Sequence, residues 1–120
     1  YQKAKTYFEN QNLEEAHKTL KQLRQNFDNP KLQVEVDVLL AQTLLGLEQP
    51  DQALTVLKNI METSNTKPQA QWYKLLGDIQ KSRNQCGPAL IAYSKAIKKG
   101  LSQEQLKQVR ASVRACSQNQ

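Results

Sequence analysis

The chain has 120 residues and a net charge of +6, and its length predicts a single domain. No run of about 18 apolar residues occurs, so the sequence predicts no membrane-spanning helix. The chain does not begin with Met, and the first of the repeats described below lacks the opening turn of its first helix. We therefore expect either a fragment of a longer protein or a chain with a disordered start.

A small residue recurs at a fixed spacing along the chain. Three pairs of small residues are each twelve positions apart, and successive pairs are offset by 37 and 36 positions: Ala4 and Ala16, Ala41 and Ala53, Gly77 and Ala89. Apolar residues follow each small residue at steps of three and four, which is the period of an amphipathic helix. This internal repeat predicts a stack of helical hairpins, with small residues where two helices approach closely.

In chain order, the predicted hairpins cover residues 1–29, 30–66 and 67–100. Their turns are predicted at residues 9–12, 46–50 and 84–88. Pro30 and Pro68 suit the first turn of a helix, where the missing backbone N–H costs nothing. The first helix of hairpin 1 is expected to be truncated.

The third copy carries the clearest motif. An aromatic residue, Tyr73, precedes a Leu–Gly pair at 76–77, and Ala89 is followed four positions later by Tyr93. This pattern resembles the tetratricopeptide repeat family over about residues 1–100. The resemblance implies an all-α fold, an α-solenoid of antiparallel hairpins wound into a superhelix. Asp37 departs from the pattern, because the family usually has an aromatic residue there.

The last segment predicts one more helix. Lys98, Lys99 and Gly100 are typical of a helix C-terminus, and Ser102 is a plausible N-cap for a helix that follows. Its apolar residues form one stripe: Leu106, Val109, Val113 and Cys116. A repeat array needs a terminal helix with one polar face, so we interpret residues 101–120 as a capping helix and tail.

Charge is unevenly distributed between the two halves. Residues 67–120 contain ten Lys and Arg against two Asp and Glu, whereas residues 1–66 contain seven against nine. Lys107, Arg110 and Arg114 share one face of the terminal helix, which suits either a solvated outer face or a site for an acidic protein or anionic lipid. Nucleic acid is disfavoured, because no aromatic residues are interleaved to stack on bases.

The two cysteines are predicted to meet. Cys86 precedes the second helix of hairpin 3, and Cys116 lies near the end of a terminal helix that should run antiparallel to it. A disulfide would therefore fix the terminal helix, and would indicate a periplasmic or other extracytoplasmic location. The alternative is two buried thiols in a cytoplasmic protein.

Motifs for catalysis are absent from the sequence. His17 has no second His four residues away, the glycines are isolated, and neither cysteine has a positioned base. Two cysteines without a nearby His do not make a zinc site. The sequence therefore predicts a non-catalytic protein with no cofactor and no metal.

A surface remains as the candidate site. In tetratricopeptide repeats the first helix of each hairpin lines a concave groove, and the resemblance places there Tyr1, Lys5, Phe8, Glu9, Glu35, Val38, Gln42, Leu45, Gln71, Lys74, Asp78 and Lys81. This groove would bind a peptide or a partner helix, and Lys5, Lys74 and Lys81 partly resemble a clamp for a chain-terminal carboxylate. We favour an extracytoplasmic scaffold in envelope or secretion-machine assembly. The alternatives are a cytoplasmic adaptor or co-chaperone, and a protein that binds an anionic ligand through its basic half.

Overall fold

A computed structural model describes residues 1–24, 29–63 and 67–118. The described residues form seven α-helices and no strand: α1 (Gln2–Glu9), α2 (Leu13–Arg24), α3 (Pro30–Gly46), α4 (Pro50–Thr63), α5 (Ala70–Ser82), α6 (Cys86–Lys99) and α7 (Gln103–Gln118). The prediction of an all-α fold is thus confirmed. The predicted end of hairpin 2 at residue 66 and the last two residues of the tail lie outside the described part of the chain.

The helices fall into two compact units. Unit 1 contains α1 to α4, and unit 2 contains α5 to α7. In unit 1, α2 packs against both α1 and α3, and α3 packs against α4; in unit 2, α5, α6 and α7 pack together. Each helix pair predicted as a hairpin therefore packs as one, while the predicted hairpin boundaries remain predictions.

The repeated small residues are buried at the helix contacts. All five alanines of the three pairs are fully buried, and Gly77 is buried as well. The contact at Gly77 is the tightest, because a Cβ atom there would lie 2.5 Å from the Tyr93 ring. The spacing that revealed the repeat thus marks where the helices approach closely.

All three hairpin turns have the same backbone geometry. Gln11, Glu48 and Asn84 have φ angles of 63°, 62° and 62°, in the left-handed region. In each turn the next residue donates its N–H five residues back, from Asn12 to Tyr7 and at the matching positions of the other two turns. This is the Schellman arrangement, which satisfies the last carbonyls of the first helix.

Helix α7 begins and packs as the sequence predicts. The Ser102 hydroxyl accepts from the N–H of Gln105 at 3.2 Å, and the Gln105 side chain accepts from the N–H of Ser102 at 3.1 Å, which is a capping box. The predicted apolar stripe faces inward: Val109 and Cys116 are fully buried, and Leu106 and Val113 are half-buried.

The two prolines behave differently. Pro30 is the first residue of α3, as predicted, and the Asn29 side chain caps that helix by accepting from the N–H of Lys31 at 3.1 Å. The prediction for Pro68 is wrong, because α5 begins only at Ala70. Gln69 has an extended backbone with ψ of 157°, so the helix cannot start before it.

Candidate interaction surface

In unit 1, the predicted groove residues of α3 share one face. Glu35 and Gln42 are exposed, Val38 and Leu45 are half-buried, and the four are spaced by three, four and three positions. The core of the unit takes the other side of the helix, with buried residues that include Val36, Leu40 and Leu44. Helix α3 therefore presents apolar and polar side chains together at its surface.

Helix α1 also carries predicted groove residues of mixed exposure. Lys5 and Glu9 are exposed and Phe8 is half-buried, whereas Ala4 is fully buried against the rest of unit 1. Burial raises the pKa of the Tyr1 hydroxyl, and the charge of the nearby Glu35 carboxylate raises it further. Tyr1, the residue before α1, therefore lies near Glu35 of α3. We call the predicted groove residues of unit 1 the α1/α3 face: Tyr1, Lys5, Phe8, Glu9, Glu35, Val38, Gln42 and Leu45.

In unit 2, the predicted groove residues lie on α5. Gln71 is exposed, and Lys74, Asp78 and Lys81 are half-buried. The Lys74 ammonium lies 3.2 Å from Oδ2 of Asp78, as an ion pair one helical turn apart. A ligand carboxylate at Lys74 would therefore compete with Asp78 for the ammonium.

Asp78 also has an internal role that the sequence did not reveal. The buried Tyr93 hydroxyl donates to Oδ1 of Asp78 at 2.5 Å, so both carboxylate oxygens have partners within the unit. Burial raises the pKa of Tyr93, and the hydrogen bond and charge of Asp78 raise it further, while Ser112 on α7 opposes the shift. Asp78 thus fixes the aromatic ring against which Gly77 packs.

A second charged contact was missed in unit 1. Asp37 is buried, and Nε of Arg24, at the end of α2, lies 2.8 Å from its Oδ1. Burial raises the pKa of Asp37 above its ordinary value, and the charge and hydrogen bonding of Arg24 act against that rise. The departure from the family pattern at Asp37 therefore replaces an aromatic contact with an ion pair between α2 and α3.

The predicted basic patch lies on the outside of α7. Lys107, Arg110 and Arg114 are all exposed, on the side opposite Val109 and Cys116. None of the three forms a salt bridge within the described residues. Exposed charges of this kind fit both interpretations, a solvated outer face and a site for an anionic partner.

Cys86 and Cys116 form the predicted disulfide, with their Cα atoms 5.5 Å apart. Cys86 opens α6 and is half-buried, whereas Cys116 is fully buried near the end of α7. Cys116 belongs to a small core with Ala89, Tyr93 and Val109, and Cys86 packs against it. The bond therefore joins two helices that already share a core.

No cluster of His, Cys, Asp or Glu in the described residues could hold a metal ion. His17 is half-buried on α2, and burial, together with the charge of Lys21, lowers its pKa. Both effects disfavour the protonated form of this imidazole.

The comparisons with known proteins agree with the repeat. No helix in the described part of the chain is long and apolar enough to cross a membrane. No curated protein and no solved structure matches the chain. A sequence model described as "Tetratricopeptide repeat-like domain" matches residues 1–115, which is nearly the whole chain. With its three helical hairpins, buried small residues and repeated turns, the chain belongs to the tetratricopeptide repeat-like domain family.

Proposed function

We propose that this protein is a non-catalytic interaction module that binds a peptide or a partner helix on its α1/α3 face. Membership of the tetratricopeptide repeat-like family supports protein partners in general, and that family is generally non-catalytic. The observation that carries the proposal is the half-buried state of Phe8, Val38 and Leu45. Each of these apolar side chains keeps part of its surface exposed to solvent.

The chemistry of the α1/α3 face suits an amphipathic partner. Apolar side chains of a bound peptide would pack on Phe8, Val38 and Leu45, as the anchors of a groove-bound helix do. Lys5, Glu9 and Glu35 are exposed around them and would pair with charges on the partner. Such rim charges set the orientation of the partner more than they set affinity.

The predicted groove residues of α5 are poorly arranged to clamp the terminal carboxylate of a bound peptide. Lys74 is held by Asp78, and Asp78 is held in turn by Tyr93. A chain-terminal carboxylate at Lys74 would have to compete with Asp78 for the ammonium. This competition weakens the co-chaperone alternative.

We further propose an extracytoplasmic scaffold that acts in envelope or secretion-machine assembly. The Cys86–Cys116 disulfide supports an oxidising environment, because cytoplasmic reductants keep most thiols reduced. A cytoplasmic adaptor is the competing interpretation. Mass spectrometry of the native protein, with thiols blocked under denaturing conditions, distinguishes them: we expect blocking only after reduction. Blocking without reduction would remove the support for an extracytoplasmic location.

Peptide selection tests the α1/α3 face directly. Peptides would be selected from a displayed library on the whole chain and their dissociation constants measured. We expect Phe8→Ala and Val38→Ala each to weaken binding about tenfold, as truncation of a central apolar anchor does. The matched control is Ile91→Ala, which truncates an exposed apolar side chain of unit 2 and should leave affinity unchanged. Equal effects of all three variants would contradict the assignment to this face.

A further inference from the structure

The outer side of α6 in unit 2 carries an unusual combination of side chains. Ile91 is 61% exposed, and Lys95 and Lys98 follow it at four and seven positions, on the same side of the helix. We call these three residues the α6 outer face. The buried side of the helix is formed by Ala89, Ala92, Tyr93 and Ala96, so the core leaves this face uncovered.

The positive charge of this face has little to neutralise it. Helix α6 contains no acidic residue, and residues 67–120 contain only Asp78 and Glu104. Asp78 is already paired with Lys74 and Tyr93. The ammonium groups of Lys95 and Lys99 lie 5.8 and 5.9 Å from the centre of the Tyr73 ring, so an aromatic surface rather than a carboxylate accompanies them.

We propose that the α6 outer face binds the surface of an anionic lipid bilayer. The lysines would lie at the level of the lipid phosphates, and Ile91 would enter the boundary between headgroups and acyl chains. Each lysine near such a surface adds electrostatic attraction, and the isoleucine adds burial of apolar area. This interaction is separate from the peptide binding proposed for unit 1 and could occur without it.

The shape and composition of the face favour a bilayer over other anionic partners. A partner helix needs a groove with several apolar anchors, whereas here a single isoleucine stands on an uncovered helix side. A nucleic acid would pair with the lysines but would leave Ile91 in water. A bilayer offers a dense layer of anions and an apolar layer beneath it.

Vesicle flotation tests the proposal with the whole chain. We expect binding to vesicles of phosphatidylcholine and phosphatidylglycerol in a three-to-one ratio, and none to phosphatidylcholine alone. Lys95→Glu combined with Lys98→Glu should reduce the partition coefficient at least about tenfold. Ile91→Ala, which changes no charge, should reduce it roughly threefold. Circular dichroism would verify that these exposed substitutions leave the fold intact.

The basic patch of α7 provides the control. Lys107→Glu combined with Arg110→Glu changes the net charge by the same amount, and we expect it to reduce vesicle binding less than about threefold. An equal loss in both double variants would show diffuse attraction and overturn the assignment to α6. Absence of binding to the anionic vesicles would also overturn it. Binding to soluble polyglutamate but not to vesicles would assign the face to an acidic protein instead. Peptide affinity, measured separately, tests unit 1 independently of these outcomes.

Discussion

At the scale of single residues, two glycines show that the side chain packed against a glycine determines how much an alanine substitution there destabilises the fold. A Cβ atom at Gly77 would lie 2.5 Å from the Tyr93 ring, and one at Gly46 would lie 2.8 Å from a terminal methyl of Leu13. The Tyr93 ring is buried and its hydroxyl is held by Asp78. The half-buried Leu13 side chain can change rotamer instead.

We therefore expect Gly77→Ala to lower the free energy of unfolding by about 1–3 kcal/mol through overpacking. For Gly46→Ala the free energy of unfolding should stay within about 0.5 kcal/mol of the wild-type value. The small cost of moving Leu13 is offset by the better helix propensity of alanine. Urea denaturation of the two variants provides the measurement. Similar values for both would show that the Tyr93 ring moves as easily as Leu13 does.

The Arg24–Asp37 pair predicts a pH-dependent effect. Burial gives Asp37 a pKa above the ordinary 3.8, so the folded state binds this proton more readily than the unfolded state does. The contribution of Asp37 to the free energy of unfolding therefore decreases as the pH rises above 3.8 and through the raised pKa. Arg24 limits the loss by stabilising the carboxylate. We expect Arg24→Gln to cost about 1–3 kcal/mol at neutral pH, and less below pH 3.8.

Denaturation of this variant at neutral and acidic pH measures the difference. The control is the same substitution combined with Asp37→Asn, in which no carboxylate remains to be left unpaired. The cost of Arg24→Gln should then be small and independent of pH. A pH-independent cost in the single variant would mean that Arg24 acts through packing of its aliphatic stem.

At the scale of helices and turns, the three hairpin turns have the same left-handed conformation, but the residues that adopt it tolerate it unequally. Asn tolerates a left-handed φ, but the Gln11 and Glu48 side chains pay a steric cost for it. We expect Glu48→Gly to raise the free energy of unfolding by about 0.5–1 kcal/mol. Gln52→Gly, on the exposed side of α4, should lower it by about 1 kcal/mol. Thermal denaturation distinguishes the signs, and destabilisation by both would contradict the strain argument.

The helices, including the terminal one, and the disulfide could be predicted from the sequence. Each rests on spacing: small residues at a fixed offset, apolar residues at helical steps, and helix lengths that bring Cys86 back to Cys116. The left-handed turns gave no signal, because Gln11 and Glu48 occupy positions where glycine usually marks this geometry.

The contacts of Asp78 with Tyr93 and of Arg24 with Asp37 could not be predicted either. Each joins side chains of different helices, and its existence depends on which rotamers meet across the interface. Of the candidate site, the sequence placed the exposed and half-buried residues of α1 and α3 on the surface. It did not show that Lys74 and Asp78 are engaged with one another.

At the scale of the whole molecule, the disulfide stabilises unit 2 more than unit 1. It closes a loop within unit 2 with a separation of 30 residues, which stabilises by about 3–4 kcal/mol in the chain-entropy account. Trp72, the single tryptophan, is buried in the same unit. We expect reductant to lower the unfolding midpoint reported by Trp72 fluorescence. Amide exchange at the buried residues Leu40 and Leu57 of unit 1 should change less.

A variant with both Cys86→Ser and Cys116→Ser is the control for this measurement. It should resemble the reduced protein and be insensitive to reductant. A midpoint that does not change on reduction would show that the shared core of α6 and α7 holds α7 in place without the bond.

The packing of each helix on its neighbour in sequence has a kinetic consequence. Among the described residues, the main helix contacts of unit 1 join consecutive helices, and those of unit 2 add the pair α5 with α7. Little loop-closure entropy therefore opposes each contact, and chains of this kind fold in microseconds to milliseconds. Helices α1 to α4 can complete their contacts as soon as α4 has emerged from the ribosome or a membrane channel, before the rest of the chain follows. The protein would thus acquire structure progressively from its amino-terminal end.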